Sequence, residues 1–282
     1  MTPIKSELVP VTLGDMSQYT IQMLPGSELL LAEHSREMPQ KNELCGAFWI
    51  TLALRALASV EVEQDHVGLA AGSILSTVQT SESLPPNDAG RADYVLELPR
   101  IDDSNITGTS PEGLVVATNE LADSKLVAIP LRGEWTAEIL ENLLQSLVDH
   151  DQPTLLVANS ATRFLWGGKS DPGSIFGFLS GQNVQGPVPD WNVGHYIGIL
   201  GWMQGSKNKL AICADTYRSI GWQGMHFQPL ARIADSLRRE DSEFSGGAFV
   251  VVSPSHEGIV RNLAANLGLS CDLWDNGTPY VK

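Results

Sequence analysis

Apolar side chains fill nearly every position from 45 to 58, CGAFWITLALRALA, which predicts a helix buried all round. Asn42 offers a cap just ahead of it. A short helix around 26–34 interrupts an irregular lead-in, and a further helix is expected over 61–76. Residues 77–113, rich in Ser, Pro, Asp and Gly, read as a long connection with one short strand near 94–98. The pattern then sharpens: a strand at 126–131 (LVAIPL), an amphipathic helix at 136–149 and a strand at 154–158 (TLLVA).

From 163 to 193 the chain is loop-like, rich in Gly and Pro, yet it carries Phe164, Trp166, Phe176 and Phe178. Long loops in compact domains are commonly lids or binding loops. The clearest hairpin follows, with strands at 194–203 and 209–217 around a turn at 204–208. A helix at 229–239, a strand at 248–252, a helix at about 255–267 and a strand at 271–274 complete the chain.

The 282 residues suffice for one large packed domain. A net charge of −15, from 33 acids against 18 bases, repels phosphate backbones and anionic membranes, so neither nucleic acid nor membrane is an expected partner. The same charge mildly favours a basic or neutral substrate, or simply keeps the protein soluble. No stretch reaches about 18 consecutive apolar residues. The first 19 residues lack the basic-then-apolar order of a signal peptide. Three cysteines, Cys45, Cys213 and Cys271, at long spacings argue against a disulfide framework or a zinc site. The expectation is a cytoplasmic protein with no metal and no organic cofactor.

Cys45 is the focus of the candidate chemistry. Thiolates are the reactive form, free thiols titrate near ~8.5, and a helix N-terminus lowers that value. Cys45 lies in the first turn of the buried helix. Gly46 would let a substrate backbone come close, and Gln40 has a side-chain N–H for an oxyanion. A thiolate also needs an imidazole, and the imidazole needs a carboxylate on its other nitrogen. If Met203 pairs with Lys209, Asp215 faces Ile197 and His195 is its diagonal neighbour on the same face, with backbones about 7–8 Å apart. A one-residue slip would separate them. Trp166 and Trp191, with Gly194, are candidates for a substrate wall. His226 is a lesser candidate for the cleft, and Cys213, in phase with Asp215, reads mainly as core. Gly167-Gly168-Lys169-Ser170 lacks the spacing of a phosphate loop.

In order, Gln40, Cys45-Gly46 opening a buried helix, Gly194-His195-Tyr196 opening a hydrophobic strand, and Asp215 on the next strand resemble the papain-like cysteine peptidases. They come closest to the bacteriocin-processing (double-glycine leader) peptidase branch. Thr216 stands where that branch usually has proline. The likeness spans about residues 38–240. It implies an α+β papain-like fold, a buried Cys helix packed on an antiparallel half-barrel sheet. Residues 1–240 would form the catalytic domain, with 1–37 as lead-in, and 241–282 a C-terminal β-α-β extension packed on it. The implied activity is cleavage of a peptide or protein substrate by a Cys45–His195–Asp215 triad with Gln40, as in leader-peptide processing. Transfer of the acyl group to an amine, favoured if the loop aromatics exclude water, and a catalytically silent binding module are the alternatives.

Overall fold

The computed structural model describes residues 18–78, 83–240 and 242–281. The chain opens with β1 (Thr20–Met23), α1 (Ser27–Glu37), α2 (Cys45–Ala58) and α3 (Gln64–Ala70), then β2 (Leu75–Ser76) and β3 (Arg100–Ile101). Next come α4 (Pro111–Leu121), β4 (Val127–Leu131), α5 (Ala137–Asp149), β5 (Leu155–Ala161) and α6 (Pro172–Leu179). The remainder is β6 (Gly194–Gln204), β7 (Lys209–Ala214), β8 (Met225–Pro229), α7 (Leu230–Arg238), β9 (Gly247–Val252) and α8 (Glu257–Asn266). The main sheet is antiparallel, in the order β4-β9-β5-β6-β7-β8. β1 pairs with the far half of β6, where β5 no longer reaches. The fold is thus α+β, with helices packed on an antiparallel sheet.

Strand alternation sorts the interior into two layers. Val157, Leu200, Phe249 and Val251 face α2, while Leu156, Ile199, Val250 and Val252 face the layer of α5, α7 and α8. On α5, Leu140, Leu143, Leu144 and Leu147 are buried, the i, i+3, i+4, i+7 spacing of one helical face. Thr136 caps this helix through the Ile139 N–H. α2 has no solvent face because α1, α3 and α4 cover the sides that the sheet leaves open. The Trp49 indole N–H donates to the Tyr196 carbonyl at 3.0 Å. Its ring lies so close to β6 that a Cβ on Gly198 would sit 2.4 Å from it.

Several expectations are corrected. Residues 94–98 form no strand; the nearby pairing is the two-residue β3 with β2. The 163–193 loop contains α6, started by Asp171 and Pro172 as cap and first helical residue. β1, α4 and β8 are further elements that hydrophobic periodicity does not reveal, being short or Gly- and Pro-flanked. The tail is no added β-α-β layer: β9 is an interior strand between β4 and β5. Residues 271–274 make no strand; Ser270 forms a single bridge to Arg132, and Trp274 instead packs on Phe249 at 4.7 Å between rings.

Candidate functional site

Cys45 is the first residue of α2, and Leu44 occupies the cap position without a side-chain hydrogen bond. Asn42 is therefore not the cap; its Oδ1 instead accepts the Arg91 N–H at 2.8 Å. Among the described residues no side chain caps the first turn, so its backbone N–H groups are left to act at the sulfur. The loop before Cys45 is braced by buried charge. Glu37 accepts from Arg55, Gln64 and Arg91, and Lys41 pairs with Asp65 at 2.6 Å with both side chains buried. This bracing holds Gln40, whose backbone N–H donates to the Thr216 carbonyl at 3.0 Å.

The hairpin brings the other groups. At its tip Met203 pairs with Leu210 and Gln204 with Lys209, one residue away from the expected Met203–Lys209 pairing. A β-bulge between Ile199 and Gly201 shifts the ladder, so Gly198 pairs with Ala214. One step further the register sets Asp215 opposite Ile197 and diagonal to His195, as expected. His195 Nε2 lies 3.2 Å from Asp215 Oδ1 and 3.3 Å from the Thr216 hydroxyl. The Cys45 sulfur lies near enough to the same imidazole to raise its pKa. With Nε2 committed to Asp215, Nδ1 is the nitrogen left for the sulfur.

The surroundings hold this arrangement firmly. Asp215 Oδ1 also accepts the Tyr217 N–H at 3.1 Å, and the Asp215 carbonyl accepts from His34 Nε2 at 2.6 Å. The His195 ring lies between Trp191, 4.8 Å away, and Tyr217, stacked at 6.0 Å. Burial alone would lower the His195 pKa, but the Asp215 carboxylate and then the Cys45 sulfur raise it to about 10. Burial likewise works against the Asp215 charge, and the His195 partner overrides it and keeps the carboxylate pKa below its ordinary range. The Thr216 hydroxyl donates to Gln40 Oε1. Gln40 Nε2 is thereby turned from Thr216 and has no protein partner among the described residues.

A cavity of about 560 Å³ opens onto this cluster. Gln40, Cys45, Trp191, Gly194 and His195 line it, together with Arg239 from the end of α7. Asp215 lies behind His195, buried. Two expected wall residues are elsewhere. Gly46 is buried, and a Cβ there would meet Leu114 at 2.8 Å and Tyr196 at 3.2 Å, so it serves helix packing rather than substrate approach. Trp166 packs with Phe178, Ile175 and Leu179 in a cluster of its own, away from the cavity. His226 is buried, bonded to Gln228 at 3.0 Å, and burial lowers its pKa to about 4. Cys213 is core, its thiol pKa pushed up by burial.

Sequence reasoning missed Thr216, Tyr217 and His34 as supports of His195 and Asp215, and Arg239 in the cavity wall. A signal existed only for the first two, which directly follow Asp215. Among the described residues, no group of three or more His, Cys, Asp or Glu side chains is placed to hold a metal ion. Among those residues, no helix is long and apolar enough to cross a membrane.

A family model described as "Family of unknown function (DUF6885)" matches residues 24–275. No curated protein matches the chain.

Proposed function

The chain belongs to the DUF6885 family, a family of unknown function, so its chemistry is argued from the site, and we propose that it is a cysteine peptidase of papain-like design. The observation that carries this reading is the single imidazole, His195, bonded to the Asp215 carboxylate and sharing the wall of a large cavity with the Cys45 sulfur, whose charge acts on it. A structural cysteine has no need of a buried imidazole–carboxylate pair, whose desolvation is costly.

The Cys45 thiolate attacks the carbonyl carbon of a peptide bond and forms a C–S bond. Negative charge develops on the carbonyl oxygen, where the Gln40 side-chain N–H and the Cys45 backbone N–H receive it. His195, as imidazolium, gives its proton to the leaving amine as the C–N bond breaks. Neutral His195 then takes a proton from water, whose oxygen attacks the thioester. The acid departs, and thiolate and imidazolium are restored. Asp215 fixes the ring and favours its charged form.

An aromatic lid that excludes water would favour transfer to an amine. The aromatic residues Trp166, Phe176 and Phe178 pack against Leu179 and Leu210 instead. Hydrolysis is therefore the reading adopted. The test is incubation with a peptide library in ¹⁸O-water, followed by mass spectrometry. New carboxyl termini carrying the heavy oxygen, absent with Cys45→Ala, are expected. Amine-joined products would point to acyl transfer, and cleavage that survives Cys45→Ala would overturn the proposal.

A further inference from the structure

Arg239 is an unusual residue to find in a cavity wall. It is only 5% exposed, and its Nε has no hydrogen-bond partner among the described residues. Nη2 donates to Asn159 Oδ1 at 3.2 Å, a neutral acceptor that also receives the Trp274 indole N–H at 3.0 Å. No carboxylate among the described residues pairs with it. A buried guanidinium without a counter-charge is costly. The only acid in the described cavity wall, Glu43, is engaged by the Ser76 N–H and the Thr107 hydroxyl, and the cation acting on it is Arg100.

The chain accommodates this residue by special means. Arg239 ends α7 in the left-handed region, at φ 51, a conformation that favours glycine. Gly194, just before His195, leaves room for the head group: a Cβ there would lie 3.1 Å from Arg239 Nη2. The guanidinium lines the same cavity as Cys45, and its charge acts on the sulfur. In a chain of net charge −15, this sets a cation in the wall that carries the thiol.

We infer that Arg239 is a binding site for a carboxylate of the substrate, held close to the bond that Cys45 attacks. The inference rests on the peptidase reading and deepens it. The substrate class becomes peptides with a free carboxylate near the scissile bond, whether an α-carboxylate or an Asp or Glu side chain. The planar fork of Arg suits a carboxylate, which would supply a counter-charge that none of the described residues gives.

Paired alkylation of the full chain tests this without a known substrate. Cys45 labelling rates with anionic iodoacetate and neutral iodoacetamide are compared, and their ratio is divided by that of N-acetylcysteine amide. The net negative charge alone would push this quotient below one. An occupied anion site should raise it about tenfold, and Arg239→Gln should remove the gain. If that variant does not fold, the wild-type quotient decides, together with its fall on adding propionate. N-acetylglutamine and N-acetylglutamic acid α-amide as protectants, against neutral N-acetylglutamine amide, separate the two carboxylate sources. A quotient of one or less, or one unchanged in a folded Arg239→Gln protein, overturns the inference. Rapid iodoacetamide labelling would then leave the peptidase reading standing. If neither reagent labels Cys45 faster than Cys213 and Cys271, both fall.

Discussion

The indole N–H of Trp49 is bonded to the backbone carbonyl of Tyr196 at 3.0 Å. Trp49 is one helical turn beyond Cys45, and Tyr196 is the residue after His195. This bond therefore fixes the spacing between the helix that carries the sulfur and the strand that carries the imidazole. Gly198 permits it, because any side chain there would collide with the Trp49 ring.

Gly198→Ala is expected to push α2 off β6. Overpacking of this kind costs about 1–3 kcal/mol, and urea unfolding should show it. Iodoacetamide labelling of Cys45 should slow in the folded variant. Gly258→Ala, in α8 with nothing within 4 Å of the added methyl, should be neutral or stabilising by up to about 1 kcal/mol.

Asp215→Asn should keep the ring in place but remove the charge that holds its proton. A loss on the order of 10²–10⁴-fold in peptidase turnover is expected. The stability change with pH has a definite sign. The raised His195 pKa contributes stability that is complete below its ordinary value of 6.5 and is lost as pH rises through about 10. The depressed Asp215 pKa contributes stability that is present above the ordinary carboxylate range and is lost as pH falls through the lowered value. Melting temperature against pH should therefore lose its decline between 6.5 and 10 in Asp215→Asn.

The opposite sign holds at His226. Its pKa is lowered to about 4, its Nε2 is buried without a partner among the described residues, and it faces the Asp215 charge. The neutral ring is the native form, so its contribution is full above 6.5 and is lost as pH falls toward 4. His226→Gln should flatten the acid side of the stability curve by up to roughly 1.4 kcal/mol per pH unit. An unchanged slope would show that His226 does not titrate in this way.

Much of this site was legible because its parts are local. Cys45 opens a run of apolar residues, His195 opens a strand, and Asp215 is two residues beyond Cys213 on the same face. Asp215 and His195 share a face as the hairpin pattern predicts, but by a different register at the turn. The turn pairs Gln204 with Lys209, and only the bulge at Leu200, which Gly201 beside it could have signalled, restores the expected alignment at His195. Gly46 was misread because Leu114, which it packs against, lies on a helix that the sequence pattern hides. Trp166 was misread because α6 draws it into a separate cluster. Arg239 had no local signal; a charged residue after an amphipathic helix ordinarily faces solvent.

Thr216 is where the chain departs from the expected proline, and its hydroxyl links Gln40 to His195. Thr216→Val should free the Gln40 amide and lower turnover about tenfold, at a stability cost of about 1 kcal/mol. Turnover equal to wild type would remove Gln40 from the proposed oxyanion site.

The central claim is that His195 makes Cys45 a nucleophile. Its most direct measurement is the iodoacetamide rate constant at each cysteine, read by peptide mapping of native protein at neutral pH, in wild type and in His195→Ala. The account predicts that Cys45 reacts at least a hundredfold faster than Cys213 or Cys271 and loses that lead in the variant, on the order of what a paired base contributes. Equal rates at the three thiols, or a lead that persists without the imidazole, would contradict it.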